Sequence, residues 1–497
     1  MKAQNIASIA GIVTDPTGAV VPGVNVSLEN PSTSVSYKAV TNSEGSYTIA
    51  NVQPGPDYKI TFEGAGFKSV VYTGLYLYVN ATRTQNARLA VGGSAQTVEV
   101  SATTETVTLD NMDATVGNNF EVQLLNDLPV ANRDSPAALF TLQPGTTLDG
   151  AVTGARIDQD DVTLDGLDVN DNETGNAFAI VGNAPVDSVQ EFRGVTAGVL
   201  PSAGEGGGGQ YTLVTRSGTN RFHGSVVEYH RDTDLEANDW FNNNNGVGRP
   251  PLIRNQFGGN VGGPIKRDKA FFFFDWNSRR DTLSNLEERT VPMASLRNGT
   301  VSYMNDAGGI STLSSAQVAS LDPQGIGFNT ALESVITSRY PAPNDLSGAR
   351  GDLVNTAGFR FNAPFPLTEN DYVGRVDYNI TATQKLWAKV GFAKQNSTEK
   401  ANQFPGDPET FPFLDNSYTY AIGHTWAIGS NKVNQAEYGE TYEDYSFPNT
   451  YNPTGITQWA NAFGGDGTGG TILSGPYASA SNAQQRTYPV PIIRDCR

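Results

Sequence analysis

Six aspartates fall within fourteen residues, at 158, 160, 161, 165, 168 and 171. Carboxylates at that density could hold a calcium ion. Asp168, Asn170 and Asn172 have the spacing of the first ligands of an EF-hand loop. That loop needs glycine at its sixth position and a bidentate glutamate at its twelfth. Glu173 and Ala179 stand there instead, so the EF-hand is excluded. Solvated loop carboxylates explain the run more simply than an irregular calcium site. The glycines from Gly204 to Gly209 could cradle a phosphate, but no Lys-Ser/Thr pair follows them. A flexible or tightly packed loop is the better account.

Other chemistry is sparse. The histidines are His223, His230 and His424, and the only cysteine is Cys496. No HExxH and no GxSxG occurs, and no intrachain disulfide or Cys-based zinc site is possible. No cofactor, resident metal or catalytic residue is expected, and an enzyme is the weakest reading. The segment Thr97, Val98, Glu99, Val100, Ser101, Ala102 alternates as a strand and follows a glycine pair, Gly92-Gly93. Such a segment can add to the edge of a partner's sheet, or it can be the last strand of the domain before it.

The elements that must position these residues are mainly β. The chain has 497 residues and a formal charge of −18, with 17% charged and 10% aromatic residues. That balance argues against wholesale disorder and against a nucleic-acid partner, because no basic stripe is present. No apolar run approaches the ~20 residues of a transmembrane helix, which leaves β-strands as a way to cross a membrane. The start, MKAQNIASIAGIV, lacks the features of a secretory signal, so an exported form needs a signal that this sequence does not contain.

Residues 9–92 read as a sandwich. Strand-like runs such as VNVSLEN, SYTIANV and YKITFEG are separated by turns at Gly18, Gly23, Gly45 and Gly55. The order GIVTDPTGAVVPGVNVSLEN, then TNSEGSYTIANVQPGPDYKITFEGAGF, resembles the carboxypeptidase regulatory-like domain, a prealbumin-like sandwich. Tyr72, Tyr76 and Tyr78 could stack on a sugar, although strand tyrosines usually do not. Residues 93–104 form a hinge. Residues 105–218 are mixed α/β, with helical pieces broken by Pro129, Pro136 and Pro144, and a strand, Val162-Thr163-Leu164, entering a turn at Asp165-Gly166.

Residues 219–497 change to period-two segments. Tyr372, Val376, Tyr378 and Ile380 alternate with Val373, Arg375, Asp377 and Asn379, and a second strand returns from Lys385 to Phe392 after a polar turn. About seven segments fit the template of an outer-membrane strand. Phe271 to Phe274 and Trp276 look like part of an aromatic belt. His424 shares the apolar register. Long loops are expected from Asp232 to Arg254 and over about 90 residues between Asp281 and Glu369.

The passage VTRSGTNRFHGSVVEYHRDTDLEANDWFNNNNGVGRPPLIRNQFGGNVGGPIKRDKAFFFFDWNSRR, with VTLDGLDVNDNETG upstream, resembles the Oar-like TonB-dependent receptors. The resemblance implies a sandwich and plug on the periplasmic side of a Gram-negative outer membrane. The first strands of an antiparallel transmembrane barrel would follow. Its partners would be outer-membrane lipid, a TonB-type energy-transducing protein and an unknown small-molecule or glycan substrate. Thr97–Ala102 is similar to a TonB box. Asp165, Asp168, Asp171 and Arg193 become candidates for substrate or gating contacts, or for polar pairs that hold the plug in the barrel. Closed transporters of this type have about 22 strands, and they typically end in an aromatic residue. This sequence ends in IIRDCR, so it reads as the N-terminal portion of such a receptor. A surface-anchored glycan-binding or adhesion protein is the alternative.

Overall fold

The computed structural model describes residues 6–92, 97–101, 115–121, 144–147, 150–171, 181, 184–198 and 207–447, the last with short gaps at 239, 241–242, 244–247, 326–336, 348, 399, 408–411 and 429–431. The proline-broken helical pieces, Ala102, Asn172 to Ala179, Gly204 to Gly206 and everything after Phe447 lie outside the described residues.

The N-terminal sandwich has two sheets. One contains β4 (Ser46–Val52), β1 (Ala7–Thr14), β7 (Thr82–Thr84) and β8 (Ala87–Arg88). The other runs β3 (Val35–Val40), β2 (Asn25–Asn30), β5 (Gly55–Glu63), β6 (Ser69–Leu77) and β9 (Thr97–Ser101). Alternation makes the two inner faces apolar, and Ile9, Leu28, Tyr58, Ile60, Phe62 and Leu77 fill the space between them. Gly45 shows why one of the turns requires glycine. Its φ is +67°, and a Cβ there would stand 2.8 Å from the Val20 Cβ and 2.9 Å from the Val13 carbonyl oxygen.

The segment expected to form the plug folds as a second β unit. Its mixed sheet runs β10 (Val116–Glu121), β13 (Val189–Ala197), β14 (Gln210–Thr215), β11 (Asp161–Leu164) and β12 (Leu167–Asp168). Phe120, Phe192 and Tyr211 stack in series at 5.5 and 6.3 Å between ring centres, over a core that includes Val162, Leu164 and Leu213. β11 and β12 form a hairpin in which Leu164 pairs with Leu167. Its turn is Asp165-Gly166, with φ of +52° and +77°. Positive φ at both positions suits the right-handed twist of a tight hairpin, and Asp-Gly is a favoured pair for it.

The third unit is a ten-stranded antiparallel sheet. Its long strands are β15 (His223–Asp232), β16 (Leu252–Lys266), β17 (Ala270–Pro292), β21 (Leu367–Asn379), β22 (Gln384–Thr398), β24 (Tyr418–Ile428) and β25 (Lys432–Tyr442). Shorter members are β20 (Thr356–Pro364), β23 (Pro412–Asp415) and β26 (Tyr445–Ser446). β18 (Val301–Met304) and β19 (Ile310–Leu313) make a separate hairpin.

Two expectations change here. The stretch between Asp281 and Glu369 is not simply a long loop, because β17 continues to Pro292 and pairs with β20. Polar residues such as Glu287, Glu288 and Arg289 hide that extension from a search for apolar alternation. The aromatic run also divides. Phe271 and Phe273 are buried, whereas Phe274 is exposed and Phe272 and Trp276 are half-buried on the opposite face. Consecutive strand residues point to opposite sides, so four phenylalanines in a row cannot all join one belt.

Candidate functional site between plug and barrel wall

The long strands carry their polar residues on the covered face. In β21 the buried register holds Glu369, Asp371, Val373 and Arg375, while Tyr372, Val376 and Tyr378 are exposed. In β22 Lys389 is buried, and Val390 and Phe392 are exposed. In β16 Arg254, Gln256 and Asn260 are buried, and Ile253 and Val261 are exposed. A soluble sandwich would turn its apolar register inward. This inversion is what a strand needs when lipid lies outside and a polar lumen inside.

A family model described as an outer membrane beta barrel domain matches residues 214–489. The chain belongs to the outer-membrane β-barrel family. A second model, for the carboxypeptidase regulatory-like domain, matches residues 8–90. The TonB-dependent transporter Oar of Myxococcus xanthus is 28% identical over 286 residues, which cover 54% of this chain and 26% of that protein. The chain therefore spans about a quarter of the length of this curated relative. Among solved structures, the outer membrane transporter YddB of Escherichia coli aligns with a TM-score of 0.43 and 9% identity, over 67% of this chain and 39% of that one. The siderophore receptor PirA of Acinetobacter baumannii aligns with a TM-score of 0.38 and 14% identity, over 66% and 40%. The protein is an outer-membrane one, and its curated relative is a transporter.

The plug meets the barrel wall at the Asp165-Gly166 turn. The Asp165 carboxylate accepts from the Thr215 backbone N–H and from Arg375 Nη1, both at 3.0 Å, and from the Thr215 hydroxyl. Lys389 Nζ stands 3.4 Å from its other oxygen. Arg375 also donates to the Thr215 carbonyl at 3.1 Å and pairs with Asp377 at 3.0 Å. Its guanidinium lies 5.2 Å from the centre of the Trp387 ring. Two carboxylates and two cations thus balance. Burial works against ionisation of Asp165, but Lys389, Arg375 and the Thr215 hydrogen bonds outweigh it and hold its pKa below the ordinary carboxylate value. A cavity of about 20 Å³ adjoins the turn, lined in part by Gly166, Leu167, Trp387 and Glu437. It has room for about one water.

The other candidates separate. Asp168 is half-buried. Its carboxylate accepts from the Asn170 N–H at 3.0 Å, and its carbonyl accepts from Thr441 Oγ1 of β25 at 2.7 Å. Asp171 is buried in the plug. Arg193 lies on β13, three strand positions from β12, and donates to Thr115 Oγ1 at 2.7 Å. Of the four, Asp165 and Asp168 are the ones with described bonds to barrel strands. Thr97 to Ser101 pair in parallel with Ser69 to Thr73 as the outer strand of the sandwich sheet.

Several residues escaped the sequence reading. Arg375, Asp377 and Lys389 sit in the polar register of spanning strands, which is the signal that could have marked them. Asp275 of β17 is only 1% exposed, and neither of its oxygens has a hydrogen-bond partner among the described residues. It lies in the field of Arg216 together with Asp187. Arg216 is tied to the plug by its own N–H, which donates to the Ser188 carbonyl, and by Nε, which donates to the Val189 carbonyl. Where it is described, the glycine run is open at Gly207 and tight at Gly208 and Gly209. A Cβ on Gly208 would stand 2.2 Å from Asp160 Oδ1, and the Gly209 N–H donates to that oxygen at 2.6 Å. Burial pushes the Asp160 carboxyl up to about 6.

Proposed function

We propose that this chain is the sandwich, plug and leading barrel strands of a TonB-dependent receptor, and that it serves energised uptake of a scarce substrate such as a carbohydrate or a metal chelate. The observation that carries the reading is the charge-balanced cluster of Asp165, Arg375, Asp377 and Lys389 between plug and wall. A plug that must seal a pore and then shift needs contacts that are strong when complete and fail together. Buried ion pairs behave this way, since removing one partner strands the other charge. Asp165 acts in this reading as the lock of the plug rather than as a substrate ligand. An energy-transducing partner in the periplasm would engage Thr97–Ala102 and supply the pull.

The test compares a strain lacking the gene with one whose chromosomal copy lacks codons 97–102. Both are grown on panels of polysaccharides and ferric chelates as sole carbon or iron source. The receptor reading expects the six-residue deletion to reproduce every growth defect of the null strain while the protein still reaches the outer membrane. Normal growth of the deletion strain on a substrate that the null strain cannot use sinks it. Retained binding of surface glycan with no growth effect would favour an adhesion protein.

A further inference from the structure

The barrel wall carries a buried carboxylate that none of its neighbours serves. Asp275 of β17 lies on the covered register, flanked on the same face by Phe273 and Asn277. Its cross-strand partners are Asn260 of β16 and Val373 of β21. The donors around it are committed elsewhere. Asn260 Nδ2 donates to Ser225 Oγ at 2.7 Å, and Val373 has no polar side chain. The plug covers the site with the short helical turn Val186–Ser188, which packs against β16 and β17. In that turn Ser188 Oγ donates to the Pro185 carbonyl at 2.8 Å, and Asp187 brings a second buried carboxylate. Arg216 faces both carboxylates, but its Nε donates to the Val189 carbonyl at 3.3 Å. Neither oxygen of Asp275 receives a hydrogen bond from a described residue.

Charge and donor type define what fits here. Asp187 and Asp275 carry two negative charges and Arg216 carries one positive charge, so one negative charge stays unbalanced in a covered place. Buried charges persist when they are paired or coordinate a metal ion. The groups without a donor are oxygens: both of Asp275, and beside them Oδ1 of Asn260, whose amide nitrogen is taken. Oxygen donors suit a hard cation. A divalent ion would reverse the imbalance, and calcium takes about 6–8 oxygens. A proton would restore neutrality but serve a single oxygen. A monovalent ion restores neutrality and serves several oxygens at once.

We infer that Asp275 of the wall and Asp187 of the plug, with Asn260 beside them, form a site for a monovalent alkali cation that ties the plug to the wall. The two carboxylates belong to different units, so the ion is held fully only while the plug is seated. A ligand that prefers the seated state also favours seating. The Asp165 cluster differs, because its carboxylates are balanced by Arg375 and Lys389 alone. Binding of the ion does not depend on the receptor reading, which only gives plug displacement its purpose.

Thermal unfolding of the whole protein in detergent micelles tests this, with sodium chloride replacing choline chloride at constant ionic strength. The wild-type midpoint should rise with the logarithm of the sodium concentration, as for a ligand of the folded state. Asp275→Asn and Asp187→Asn should each lose at least four-fifths of that rise. Asp187→Asn leaves the wall intact and keeps the test readable where Asp275→Asn folds poorly. Asp160→Asn, in the plug but outside the site, should keep the full rise. A rise that survives in both site variants means an adventitious ion only, and the inference fails. No rise in the wild type sinks it equally.

Two spectroscopic readouts separate the ion from a proton. The sodium NMR line should broaden on adding wild-type protein, and the added width should fall at least twofold in Asp275→Asn. An infrared carbonyl band of a protonated carboxylic acid, present in the wild type in sodium buffer at about pH 7 and lost in Asp275→Asn, would show that a proton occupies the site and overturn the inference. These results stand apart from the growth test, so either reading can fail without the other.

Discussion

Asp165 joins a plug turn to two barrel strands with one carboxylate. Arg375 and Lys389 are both buried, with side chains 7% and 1% exposed. Asp165→Asn leaves one positive charge uncompensated there, and breaking a buried pair from one side costs about 3–5 kcal/mol. The variant should make cells measurably more sensitive to a large hydrophilic antibiotic such as vancomycin, with normal amounts of protein in the membrane. Unchanged sensitivity means that the pair does not seal the plug. Asp160 gives a pH signature of the opposite sign to Asp165. Its folded pKa, about 6, lies above the reference 3.8, so the folded plug holds the proton more tightly. The Asp160 contribution to stability therefore falls as pH rises from about 4 to about 6, by at most on the order of 3 kcal/mol, and is level above that. Asp160→Asn should gain stability relative to wild type across that window, read as the difference in urea midpoint of the plug at pH 4.5 and 7. A difference that does not change with pH rules this out. Asp165, with its pKa lowered, contributes stability that is lost only as pH falls below its ordinary carboxylate range.

At the level of elements, what could be read in advance was what is local. The strands of the sandwich follow from alternation between turn residues, and the β11–β12 hairpin follows from Asp165-Gly166, because backbone conformation depends on a few neighbouring residues. The inverted faces of β21 and β22 were visible as period two, but which face was covered was decided by the tertiary packing. The Asp165–Arg375 contact spans 210 positions, and nothing in either segment marks the other. Glycines in the wall carry a related message that sequence reading did not extract. Gly423 of β24 lies under the Trp387 indole, and a Cβ there would stand 2.3 Å from Nε1. Trp387 in turn sits against Arg375. Gly423→Val should push the indole aside, shift its fluorescence, and raise vancomycin sensitivity as Asp165→Asn does. A shifted emission with an intact seal would mean that the ring does not position Arg375.

At the scale of the whole molecule, three units converge where Asp187 and Arg216 of the plug segment face Asp275 of the wall, beside the sandwich contacts of Val79 and Asn80. The two parts of this junction predict opposite mutational signs. Asp275 is buried, has no hydrogen bond among the described residues and shares the Arg216 charge with Asp187, so a neutral isostere removes a poorly compensated buried charge. In sodium-free buffer Asp275→Asn should leave the thermal midpoint unchanged or raise it, and a clear fall would mean that the carboxylate has a partner role. Glu191→Ala together with Asn80→Ala removes the bonds through which the sandwich grips β13 and β14. A hydrogen bond to a charged group contributes about 1.5–3 kcal/mol and a neutral one about 1 kcal/mol, so the pair should release the sandwich from the plug while the Asp165 cluster stays closed. Spin-label distances between the sandwich and the plug sheet should broaden and lengthen in this variant, without a gain in vancomycin sensitivity. An unchanged distance distribution would mean that the contacts of Ser32 with Asn220 and of Tyr37 with Lys385 hold the sandwich by themselves.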